Sequence, residues 1–139
     1  ALPKLQEILG KSQYNDERLA TTISMGMIGD KNSIPLLQTL LEDEEPNIQW
    51  DAAIALAKMG DTSGAFIIAN LLDRDYLDAF PEVDEAEKNQ AIMVAIEIAS
   101  MIKAKGLEPK LVTLAESDGN LKIRNAAMQT LESAYHRVI

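Results

Sequence analysis

Apolar positions along this chain recur at helical spacing, and the stretches that carry them recur in turn. The clearest runs from Asn47 to Asp61, where Ile48, Ala52, Leu56 and Met59 fall four, four and three residues apart on one helix face. Its second half, from Ile54 to Asp61, is echoed 31 positions earlier by Ile23-Ser24-Met25-Gly26-Met27-Ile28-Gly29-Asp30. Its first half is echoed 75 positions later by Ile123-Arg124-Asn125-Ala126-Ala127-Met128-Gln129-Thr130-Leu131. Recurrence of one segment at a fixed period is the mark of a stacked-repeat protein.

Shorter apolar helices alternate with the long ones. Leu2, Leu5, Ile8 and Leu9 share a face, with Pro3 in the first turn, where a missing N–H costs nothing. Ile34 to Leu41 repeats that helix with Pro35 for Pro3 and Leu37 for Leu5, and Ala65 to Leu72 follows at a spacing of 31. Glu108-Pro109-Lys110-Leu111 starts the same helix again. The pattern predicts an all-α superhelix, an armadillo-like solenoid of about eight helices in antiparallel long and short pairs, with no strand. Its parts are a short helix at 2–9, repeats at 15–42 and 46–73, an insertion at 74–84, a repeat at 85–116 and a final helix at 120–137. The long helix near 85–104 is apolar on most sides and is expected to be the most buried. Gly29 and Gly60 suit left-handed caps, and Asp30 and Asp61 can accept backbone N–H groups where the next helix starts.

Composition narrows the picture. Hydrophobic residues make up 47% of the 139 but aromatics only 4%, which favours helices in close small-residue contact over a β-sandwich. A net charge of −9 without a basic stripe argues against a nucleic-acid partner. With no cysteine, disulfides, thiolate metal sites and cysteine nucleophiles are excluded. No apolar run approaches the roughly 18 residues of a membrane span, so no membrane insertion is expected. The start shows no signal peptide; the compartment stays open, with the cytoplasm favoured. An opening Ala and an apolar first helix lead us to expect the C-terminal part of a longer protein.

The residues Asn47-Ile48, Ala52-Ala53, Leu56, Met59-Gly60-Asp61 and Leu71-Leu72-Asp73 resemble the short HEAT-like repeat of the phycobilisome-lyase type. That resemblance implies a helical scaffold for protein or peptide binding, without enzymatic activity or cofactor. Some relatives handle bilins, so a tetrapyrrole lyase or chaperone role is the alternative, with HEAT-like nucleic-acid processing behind it. Two departures stand out. The repeat's arginine is Gln49 here and survives as Arg18 and Arg124, and the insertion breaks the rhythm.

No catalytic constellation is visible. His136 is the one histidine and reads as a surface residue near the last helix end. Asp73, Asp75 and Asp78 lack the glycine and terminal glutamate of a calcium loop, so no metal site is expected. Glu42-Asp43-Glu44-Glu45 reads as a solvated helix start, or a lure for a basic partner.

Partner binding is expected on either of two faces. The concave, short-helix face should present Lys4, Leu36, Ile67 and Lys110 in one row, with Thr39 and Asn70 in the next. On the outer face, Leu19, Ile23, Trp50 and Ile54 form an apolar stripe that either mediates a contact, self-association included, or packs between long helices. Tyr76 and Phe80 in the insertion either cap the core or belong to a recognition loop.

Overall fold

A computed structural model describes residues 31–137. Seven α-helices occur among them, with no strand: α1 (Ile34–Leu40), α2 (Pro46–Lys58), α3 (Ala65–Leu71), α4 (Arg74–Asp78), α5 (Glu85–Ile102), α6 (Glu108–Ser117) and α7 (Leu121–Ala134). Short 3-10 turns, Lys31–Ser33 and Lys105–Leu107, lead into α1 and α6. The expected helix at 2–9 and the long helix from 15 to 28 lie outside the described residues. The chain divides into two compact units after Ile67, within α3.

In the first unit α1 lies against α2. Pro35 and Pro46 occupy first turns. Leu37, Leu40 and Leu41 bury the inner side of α1, and Ile48, Ala52, Ala53 and Leu56 that of α2. Burying each such leucine or isoleucine is worth about 1.5–3 kcal/mol. Gln49, in place of the repeat's arginine, donates from Nε2 to the carbonyl of Asp43 and ties α2 to the turn before it.

The end of α2 follows the sequence closely. Gly60 takes φ +83°, its N–H donates to the Ala57 carbonyl at 3.0 Å, and Asp61 N–H donates to Leu56 at 2.9 Å. This Schellman pair satisfies carbonyls that the helix leaves open. Asp61 then accepts the Ser63 N–H at 2.8 Å, as its position suggested. Gln38 Nε2 donates to Asp61 Oδ2 at 3.1 Å and to Ser63 Oγ at 2.8 Å, fastening α1 to that turn. Gly64 is buried against α2: a Cβ there would meet Ala53 Cα and Cβ at 2.8 Å.

In the second unit α7 contacts both α5 and α6, and α4 lies against α5. The core takes Leu77 from α4, Ile92, Ala95, Ile96, Ile98 and Ala99 from α5, Leu111 and Leu114 from α6, and Ile123, Ala127 and Leu131 from α7. Asp84 and Glu87 form a reciprocal capping box at the start of α5. Lys103 ends that helix in the left-handed region at φ 48°, where glycine is the usual occupant. Asn120 caps α7 by accepting the Ile123 N–H at 3.2 Å, and Tyr135 Oη donates to the Ala99 carbonyl at 2.9 Å.

One expectation changes and one element is new. The helix expected to be most buried, α5, buries five of its 18 residues, whereas α2 buries six of 13. The reason is its first two turns, which carry Glu85, Glu87, Lys88 and Asn89 for capping and ion pairs. Met93, Glu97 and Met101 then follow on an exposed line. The insertion at 74–84, to which the sequence pattern assigns no element, contains the five-residue helix α4, capped by Asp73 and anchored by buried Leu77.

Candidate functional site

The insertion and α6 together build the most developed polar site among the described residues, and it lies wholly within the second unit. Asp73 fixes the start of α4: its Oδ1 accepts the Asp75 N–H at 3.0 Å, while Oδ2 accepts from Lys110 Nζ of α6 at 2.9 Å. The Lys110 hydrogen bond, reinforced by its charge, holds the Asp73 carboxyl below the usual carboxylate range against the opposing effect of burial.

Arg74 is the hub. Its Nε donates to Asp118 Oδ1 at 2.8 Å and its Nη2 to Asp118 Oδ2 at 3.1 Å, the two-pronged geometry that suits a guanidinium to a carboxylate. Nη1 reaches Glu85 at 2.7 Å and Nη2 also reaches Asn89 at 2.9 Å. One side chain thus joins the α4 start, the first turns of α5 and the turn between α6 and α7. The Asp118 side chain is 3% exposed and that of Arg74 23%. Burial pushes the Asp118 carboxyl up, but hydrogen bonds from Arg74 and from the Asn120 N–H outweigh it and hold the group below its ordinary value. The bond to Asp118 likewise drives the Arg74 guanidinium further up, so it stays charged.

Two hollows flank Arg74. One, of about 330 Å³, opens between the α4 start and α6; Asp73, Asp75, Lys110, Thr113 and Ser117 form its walls, and Leu72 and Leu114 are the apolar residues lining it. The other, of about 380 Å³, is lined by Glu85, Asn89, Gly119 and Asn120. Thr113 donates its hydroxyl to the Pro109 carbonyl and Ser117 to that of Thr113, so both present acceptor lone pairs outward.

The expected site residues scatter differently. Lys110 lines the first hollow and is bound to Asp73 rather than standing free. On α1, Leu36 is half-buried and Thr39 exposed, its hydroxyl bonded back to Pro35 and Leu36. Ile67 does not face outward as expected: it is 2% exposed, and its neighbour Phe66, at 59%, takes the outward place on α3. The run Ala65-Phe66-Ile67-Ile68 is apolar throughout, so periodicity could not tell its two faces apart. Asn70 is half-buried.

Trp50 and Ile54 are half-buried on α2, while Leu19, Ile23 and Lys4 lie outside the described residues. Tyr76 and Phe80 meet edge to face with centroids 5.2 Å apart and are both half-buried. Asp78 pairs with Lys88 at 2.9 Å, and among the described residues no group of acidic or histidine side chains is placed to hold a metal ion. His136 stands exposed beyond the end of α7. Arg74 and Asp118 escaped the sequence reading, since 44 residues separate them.

No curated protein matches the chain. The HEAT repeats family matches residues 2–80, more than half of the 139 residues. With that match and a described architecture built only of helices, the chain belongs to the HEAT repeat family.

Proposed function

We propose that this chain is a non-enzymatic helical-repeat scaffold that binds a protein or peptide segment along its short helices. HEAT repeats commonly serve as protein-interaction scaffolds. The observation that carries the reading here is Phe66, one of only six aromatic residues, 59% exposed on a short helix. An exposed large aromatic is the residue type that anchors an interface. The face of the short helices is favoured over the stripe of Trp50 and Ile54, which are half-buried on α2.

A more specific assignment to the phycobilisome-lyase type of repeat rests on the 31-residue spacing and on Ala52-Ala53 followed by Gly60-Asp61. It carries the second reading, tetrapyrrole handling; titration with a bilin that leaves its absorption spectrum unchanged would remove it.

The scaffold reading is tested by panning a displayed random-peptide library against the chain. Selected peptides are then measured on Phe66→Glu and Trp50→Glu. We expect Phe66→Glu to lose binding with its helical content intact and Trp50→Glu to keep it. Selection of no peptide, or peptides indifferent to Phe66→Glu, counts against the reading.

A further inference from the structure

We infer that the hollow between α4 and α6 is a subsite for an arginine side chain of a peptide partner, an assignment that rests on the scaffold reading above and names the chemistry of its ligand. The argument begins with charge. Among the lining residues, Asp73, Asp75 and Asp118 oppose only Lys110 and Arg74. Lys110 is matched by Asp73, and Arg74 is shared between Asp118 and Glu85. Asp75 is exposed and enters no ion pair among the described residues, so the hollow keeps a negative excess. An anionic guest would have to displace a carboxylate from one of the two cations.

Hydrogen-bond polarity points the same way. The hydroxyls of Thr113 and Ser117 spend their protons on backbone carbonyls, leaving oxygen lone pairs as acceptors in the hollow that Asp75 also lines. Acceptors on both walls call for a guest that is rich in donors. A guanidinium offers five N–H groups in a planar fork and an ammonium only three. Leu72 and Leu114 reach the floor of the hollow but are 1% and 3% exposed, so what the hollow offers a guest is the polar wall that a cation would meet. A space of about 330 Å³ is ample for one such side chain. The net charge of −9 would draw a basic segment towards the chain as a whole.

The test is a titration of the isotopically labelled 139-residue chain with acetyl-Ala-Arg-Ala-amide, followed by amide chemical shifts. The same peptide carrying citrulline, neutral and nearly isosteric, is the control. Saturable shifts are expected at Asp75, Ser117 and Gly119 with the arginine peptide alone. Asp75→Asn, at an exposed position, should leave the melting temperature unchanged and weaken binding by about fivefold to tenfold, as loss of a charge-assisted contact does. Equal shifts from the citrulline peptide, shifts elsewhere, or full affinity in Asp75→Asn would overturn the assignment. If library peptides still bind through Phe66 in that event, the scaffold reading survives and only this subsite falls. If they do not bind either, both fall.

Discussion

Asp118 receives both prongs of the Arg74 guanidinium, at 2.8 and 3.1 Å, across 44 residues of sequence. The pair ties the extra helix α4 to the turn between α6 and α7. Asp118→Asn turns one acceptor oxygen into an NH2 donor, so it removes one prong and the charge and leaves Arg74 with Glu85 as its one direct ion pair. We expect a loss of roughly 2–3 kcal/mol in urea-unfolding free energy. Arg74→Met should cost a similar amount, and the double variant less than the sum of the two. Strict additivity would show that the pair is not coupled.

Acid should loosen the same pair. Asp118 and Asp73 both titrate below the usual carboxylate value in the folded chain. Groups with depressed folded values contribute stability that is complete above about pH 4–5 and is lost as pH falls through the folded values. Asp51 runs the other way: burial raises its carboxyl, so its charge is a burden at neutral pH. Asp51→Asn should therefore raise stability at pH 7, by a few tenths of a kcal/mol after solvent screening, and lose that gain in acid. Urea midpoints measured between pH 7 and pH 3 check both signs.

Among the described glycines, Gly64 is the one whose added Cβ would meet a neighbour. Its added Cβ would sit 2.8 Å from Ala53 Cα and Cβ and 3.2 Å from Leu41 Cδ2, and neither backbone nor packed leucine yields easily. Gly64→Ala should cost about 1–3 kcal/mol. A thermal melt matching the parent would show that the chain at Gly64 moves away from α2 at little cost.

At Lys103 the opposite substitution helps. Its φ of 48° is unfavourable for a side-chain-bearing residue, and it ends an 18-residue helix. Lys103→Gly should stabilise by about 1 kcal/mol, read as a higher urea midpoint.

Leu56 tests the helix register. It is fully buried among the α2 core residues, so Leu56→Ala should cost on the order of 2–5 kcal/mol.

The sequence exposed what depends on local chemistry and hid what depends on distance. Gly60-Asp61 could be read as a helix stop because both act within six residues on their own backbone. The Pro-led short helices α1 and α6 could be read because Pro35 and Pro109 sit at the same place before a leucine ladder. Helix α4 is five residues long, too short for a period, and forms through the Asp73 cap and the burial of Leu77. Gly64 left a trace that was available. The residue before each of the short helices α1, α3 and α6 is buried, as Ser33, Gly64 and Leu107, and it is small in the first two. Comparing those positions would have singled out a close backbone approach. The Arg74 cluster left none, because its partners come from three separate stretches.

Helix α4 also makes the second unit unlike a plain repeat. Strict repetition gives every register of a bound segment the same neighbours, so alignments shifted by one repeat are nearly degenerate. An element that occurs once among the described residues, pinned by one arginine, breaks that degeneracy. For a partner of the kind proposed, a single alignment would bring its matching residue beside α4.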